Sequence, residues 1–161
     1  MVTPPSIPDR IPVNIITGFL GSGKTSAVLN LLKQKPRDEH WAILVNEFGE
    51  IGVDRSLMQG HAVTHDRVAI LEVPGGCMCC AAGLPMQMAL SQLLFLGRPD
   101  RLLIEPTGLG HPAEVLQTLY SDAYSETLEV QSTVTLIDAR SATNERHANH
   151  ASFVQQLRIA D

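Results

Sequence analysis

Short apolar runs alternate with stretches of helical spacing along most of this chain. Val13 to Thr17, Trp41 to Asn46, Val68 to Val73, Arg101 to Glu105 and Val130 to Asp138 are rich in Val, Ile and Leu and short enough to be strands. Between them, Ser26 to Lys33, Leu84 to Leu96 and Pro112 to Tyr120 read as helices, the last two with a proline in the first turn, where the missing N–H costs nothing. Apolar strands that lack alternation are buried on both sides. The pattern therefore predicts an α/β fold, a mostly parallel sheet with helices on both faces in three layers. In such sheets ligands bind at the carboxyl ends of the strands. Each polar or glycine-rich cluster in the chain follows a predicted strand, so the clusters should gather along one edge of the sheet.

The cluster after the first strand is Gly18-Phe19-Leu20-Gly21-Ser22-Gly23-Lys24-Thr25, the full phosphate-loop pattern G-x-x-x-x-G-K-[ST], with strand before it and helix after. Gly18, Gly21 and Gly23 let successive backbone N–H groups close around an anion, and Lys24 adds a mobile positive charge. The hydroxyl of Thr25 is the expected Mg²⁺ ligand. The first N–H groups of the following helix, through Ser26, complete the phosphate site with Ser22. A nucleoside triphosphate is the ligand this implies.

Three further clusters follow the later strands. Asn46 to Asp54 sets Glu47, Glu50 and Asp54 among glycines, which suits Mg²⁺ binding, water orientation or a second metal, and equally suits a solvated turn. Gly75-Gly76-Cys77-Met78-Cys79-Cys80 holds all three cysteines of the chain. Three thiolates in four residues can reach one soft or borderline ion such as Zn²⁺ or Cu⁺, with Glu50 or a histidine as a fourth ligand. Packing of the cysteines as small apolar residues beneath the loop is the alternative. Leu102 to Gly110 ends an apolar strand in Glu105, the usual place for a second Mg²⁺ contact, with Gly108 able to offer its N–H to a γ-phosphate.

Composition narrows the setting. The chain has 161 residues, 44% hydrophobic and 18% charged, as expected of one globular domain, and its net charge of −5 speaks against nucleic acid or an anionic membrane as partner. Residues 1 to 12 contain Pro4, Pro5, Pro8 and Pro12 and read as a flexible lead to a domain over residues 13 to 161. With no apolar stretch of membrane-spanning length and no secretory leader pattern, the expected location is the cytoplasm, where the thiols stay reduced. His147 and His150 are expected to be polar residues at a helix start. His111 either approaches the site or occupies a simple loop, and His40, His61 and His65 read as surface loop.

Together these stretches resemble the metal-centre branch of the phosphate-loop GTPases typified by CobW. The resemblance rests on the phosphate loop, Asn46-Glu47-Phe48-Gly49-Glu50, the Cys-x-Cys-Cys at Cys77 to Cys80, and the Glu-x-x-Gly at Glu105 to Gly108, in that order, and runs from about Pro12 to Asp161. It implies GTP hydrolysis with Mg²⁺ that depends on Lys24, Glu105 and Gly108. It also implies binding of zinc, or of cobalt or iron, at Cys77, Cys79 and Cys80 with Glu50 near, and delivery of the metal to a client protein. Metal binding would shift the Asn46 to Asp54 segment and so change nucleotide turnover. The family's base-reading Asn-Lys-x-Asp motif falls after Asp161, as does a carboxy-terminal domain. The expectation is thus an incomplete GTPase domain, marginal in stability or associating into homo-oligomers through an open sheet edge. A small-molecule kinase and a non-catalytic metal-binding module remain the other two classes.

Overall fold

The structure is a computed structural model that describes residues 10–46, 63–65, 67–73, 78, 83–142 and 149–161. Strands β1 (Ile11–Gly18), β2 (Trp41–Val45), β3 (Val63–His65), β4 (Val68–Glu72), β5 (Arg101–Glu105) and β6 (Leu128–Leu136) form one sheet in the order β3-β4-β2-β5-β1-β6. The helices are α1 (Lys24–Lys33), α2 (Leu84–Leu96), α3 (Pro112–Leu119), the single turn α4 (Ala139–Ala142) and α5 (Ala151–Arg158). All pairings are parallel except that of β3 with β4.

The runs lack alternation because both faces of the sheet are covered. Val13, Ile15, Ala42, Leu44, Leu102 and Ile104 point to one face, where Met86, Leu90 and Leu93 of α2 and Val115 and Leu119 of α3 pack on them. Ile16, Trp41, Ile43, Val45 and Leu103 point to the other, against Val28 of α1. The crossover from β1 to β2 through α1 runs one way along the sheet. Those through α2 and α3 run the opposite way, on the opposite face. With right-handed connections this arrangement reverses strand order between β1 and β5, and a crevice opens there at the carboxyl ends.

Several boundaries differ by a residue or two from those expected, and three differences have a reason in the packing. Strand β1 takes in Ile11 and Pro12, which composition assigned to the flexible lead. Ile11 is buried and its N–H donates to the Thr127 carbonyl, while Pro12, near the strand start, is flanked only by β6, since pairing with β5 starts at Val13. Strand β6 runs two residues earlier than expected, because buried Leu128 pairs with Ile11. Asp138 falls outside it and accepts from the N–H of Arg140 at the start of α4. His65, expected in a loop, belongs to β3, a three-residue strand too short to leave a periodic signal.

Candidate nucleotide site at the carboxyl edge

The phosphate loop leaves β1 at Gly18 and enters α1 at Lys24. Gly21 and Gly23 take φ of 74° and 90°, left-handed conformations that favour glycine. Gly18, with φ of 146°, is also tightly enclosed: a Cβ there would lie 2.4 Å from the Leu136 carbonyl oxygen and 2.5 Å from Ser22 Oγ. Gly23 is the N-cap of α1 and provides no capping side chain, and the first turn of α1 carries no acidic residue. The positive end of the helix dipole is therefore left to an outside anion. Ser22 Oγ is buried with no partner among the described residues, as a phosphate-facing hydroxyl would be before its ligand arrives.

Lys24 and Thr25 are buried although they lie in the first turn. Lys24 Nζ donates to the Phe19 carbonyl at 3.4 Å, folding back over its own loop. The Thr25 hydroxyl donates to Glu105 Oε1 at 2.7 Å across 80 residues of sequence. Glu105, at the end of β5, is itself buried. A hydroxyl and a carboxylate held this close are hard oxygen donors of the type Mg²⁺ takes, so the residues fit that ion.

The loop after β5 closes the far wall. A cavity of about 110 Å³ is lined by Leu20, Lys24, Asn46, Glu105, Pro106, Thr107 and Gly108. Gly108 is there because nothing larger fits: a Cβ would sit 2.8 Å from the Leu20 nitrogen and 3.0 Å from Lys24 Nζ. Asn46 joins the site through its N–H, which donates to the Glu105 carbonyl at 3.2 Å. Its side-chain oxygen accepts the N–H of Met78 at 3.1 Å. Met78 is buried in the core on the α2 side. A larger cavity of about 390 Å³, lined mainly by apolar residues such as Ile16, Leu31, Leu103 and Val134, lies on the α1 face and includes none of these groups.

Of the residues singled out in sequence, Gly18, Gly21, Ser22, Gly23, Lys24, Thr25, Ser26, Glu105 and Gly108 converge at this edge. Glu47, Glu50, Asp54, Cys77, Cys79, Cys80, His61 and His147 lie outside the described residues. Among the described residues no cluster of three His, Cys, Asp or Glu side chains forms a metal site. His111 is the exposed N-cap of α3, and His150, as expected of a helix start, is the N-cap of α5 and accepts the Ser152 N–H at 3.3 Å. Near the end of β6, Arg140 hydrogen-bonds Asp138 and holds its carboxyl below the usual carboxylate range; the pair is too exposed to matter much for stability.

The sequence placed a helix start at His150 but gave the helix that follows, α5, no part in the site. Its buried Gln156 donates through Nε2 to the Gly108 carbonyl at 2.9 Å, and buried Ser152 donates to the Leu109 carbonyl at 3.0 Å. The ring of Phe153 meets Phe19 edge-on, with centroids 5.9 Å apart. The amphipathic spacing of Ser152, Phe153 and Gln156 was the signal of a buried face.

Comparison with known proteins agrees with this architecture. The model of the CobW/HypB/UreG nucleotide-binding domain matches residues 12–161. The zinc chaperone YeiR of Escherichia coli (strain K12) is 50% identical over 149 residues, which is 92% of this chain and 44% of that protein. The zinc-regulated GTPase metalloprotein activator 1 of Schizosaccharomyces pombe is 36% identical over 84% of this chain and 34% of its own length. The crystal structure of Zn(II)-bound YjiA GTPase from E. coli superposes with a TM-score of 0.69 at 24% identity, covering 95% of this chain and 48% of that one, a likeness of fold. The chain spans less than half the length of the curated relatives named here.

Proposed function

Because the chain belongs to the CobW/HypB/UreG nucleotide-binding domain family, we propose that it is the GTP-hydrolysing part of a zinc metallochaperone. The observation that carries the reading is the Thr25 to Glu105 hydrogen bond beneath the cavity walled by Lys24 and Gly108. A phosphate loop, a buried carboxylate at the next strand end and a glycine with no room for a side chain are what a γ-phosphate site requires. The naming of YeiR as a zinc chaperone supports zinc as the cargo. No described helix is long and apolar enough to cross a membrane.

In this mechanism the backbone N–H groups from Gly21 to Ser26 hold the phosphates, and Lys24 neutralises charge between the β- and γ-groups. Thr25 and Glu105 would hold Mg²⁺, which supplies charge stabilisation to the transferring phosphoryl group. Gly108 brings its backbone N–H to the γ-phosphate. Cys77, Cys79 and Cys80, with Glu50, take the transition metal for delivery to a client metalloprotein. The Asn46 to Met78 hydrogen bond supports coupling between the metal and nucleotide loops, because Met78 lies between Cys77 and Cys79 in the chain and Asn46 begins the acidic segment.

One titration tests the whole reading: hydrolysis of GTP and of ATP, each with and without Zn²⁺, on the chain and on its Cys79→Ser variant. GTP preference with a zinc-dependent rate that the variant loses is expected. Equal use of ATP with phosphate passed to an acceptor would make it a kinase, and zinc binding without turnover would make it a non-catalytic metal module.

A further inference from the structure

Glycine at position 108 solves a steric problem and creates a conformational one. Without a Cβ, the peptides on either side of it rotate easily, so the direction of its N–H is not set by the residue itself. The Thr107–Gly108 peptide is held by a turn in which the Gly110 N–H donates to the Thr107 carbonyl at 3.0 Å. The Gly108–Leu109 peptide is held from outside the loop, by Gln156 Nε2 on the Gly108 carbonyl at 2.9 Å. Gln156 is 1% exposed, and its own backbone carbonyl accepts the Thr135 hydroxyl at 2.8 Å, which ties this turn of α5 to β6. Ser152, one turn earlier, holds the Leu109 carbonyl. The same helix packs Phe153 against Phe19 of the phosphate loop. Thus α5 grips both loops that border the phosphate cavity.

We propose that Gln156 is a positioning residue for the terminal phosphate: the turn at Thr107 holds the peptide that carries the Gly108 N–H, and the bond from Gln156 to the Gly108 carbonyl holds the next peptide, so that the two together keep the Thr107 to Leu109 segment, N–H included, against the γ-phosphate and let the site distinguish tri- from diphosphate. This rests on the reading of the cavity as a GTP site. A diphosphate makes no contact at Gly108, so the effect of Gln156 should be confined to the triphosphate.

The experiment measures the affinities of a non-hydrolysable GTP analogue and of GDP, with Mg²⁺, for the full chain and for Gln156→Leu and Gln156→Glu. In Gln156→Leu the preference for the analogue over GDP should fall about tenfold, the effect of one lost hydrogen bond, with GDP affinity unchanged. Gln156→Glu separates positioning from packing. Its carboxylate repels the Gly108 carbonyl at high pH, whereas the protonated acid can donate to it, so the triphosphate preference should recover as pH is lowered while the unaltered chain shows no such recovery. Either an unchanged preference in Gln156→Leu or an equal loss for both nucleotides would overturn the assignment, as would a Gln156→Glu preference that does not respond to pH. If the unaltered chain bound neither nucleotide, the GTP-site reading would fall first and the role of Gln156 with it.

Discussion

The N–H of Met78 donates to the side-chain oxygen of Asn46 at 3.1 Å, joining the loop that follows β4 to the residue that follows β2. The two strands are neighbours in the sheet, so the link is short, and Asn46 in turn donates its own N–H to the Glu105 carbonyl. One residue thereby touches the cysteine segment, through Met78, and the carboxylate strand, through Glu105.

Asn46→Leu is expected to weaken this link and to leave the buried Met78 N–H without an acceptor, a cost of about 1–3 kcal/mol. Asn46→Asp, which retains an acceptor, should be closer to the unaltered protein in stability. In chemical denaturation the Leu variant should show the lower midpoint, and its GTP hydrolysis should respond less to added Zn²⁺. Full zinc response in a folded Leu variant would remove Asn46 from the coupling.

Thr25→Val and Glu105→Gln each remove one oxygen donor from the buried pair. Hydrolysis rates measured against Mg²⁺ concentration should shift to higher Mg²⁺ for both, with a loss of about 10²-fold or more in maximal rate if they act on transition-state charge. Retention of wild-type Mg²⁺ dependence in both variants would show that the ion is held elsewhere.

Gly108→Ala inserts a methyl 2.8 Å from the Leu20 backbone nitrogen and 3.0 Å from Lys24 Nζ. The loop after β5 must then retreat from the phosphate loop. We expect a lower melting temperature, because backbone has to shift, and a loss of about two to three orders of magnitude in kcat, of the size seen when one donor to a developing charge is removed. Unimpaired turnover by Gly108→Ala would mean that this wall of the cavity is not part of the phosphate site.

Gly18→Ala should act differently, through the fold. Its Cβ would come within 2.4 Å of the Leu136 carbonyl, backbone that cannot swing aside, at a φ of 146°. The strain from the backbone angle alone is about 1–3 kcal/mol, and the clash adds to it by prising β6 from β1. Thermal denaturation should reveal a melting temperature several degrees lower, before any nucleotide is added.

The chain's linear order was enough to announce the phosphate loop and the Glu-x-x-Gly segment, because each is a contiguous run whose residue types follow from local chemistry: glycines for tight backbone, a lysine for charge, a carboxylate at a strand end. The buried strands β1, β2, β4 and β5 were equally legible, since strands covered on both faces demand apolar runs without alternation, and Trp41 to Val45 or Arg101 to Glu105 satisfy that with no help from distant sequence. Their ends were less so. Ile11 entered β1 because Leu128 and the Thr127 carbonyl wait for it, partners more than a hundred residues away.

What the tertiary structure alone decided is which of these segments meet. Strand order reverses between β1 and β5, and that reversal sets Thr25 against Glu105 and Gly108 against Lys24. Gln156 carries no motif and no charge, and the amphipathic spacing around it marks a buried face without saying what that face meets. Burial beside a glycine that cannot hold its own orientation gives it a role, and burial is a property of packed elements. The amino-acid sequence by itself determined the chemistry available to this protein. Folding determined which pieces of that chemistry share one cavity, because hydrogen bonds and charge stabilisation act over a few ångströms of space whatever the separation in sequence.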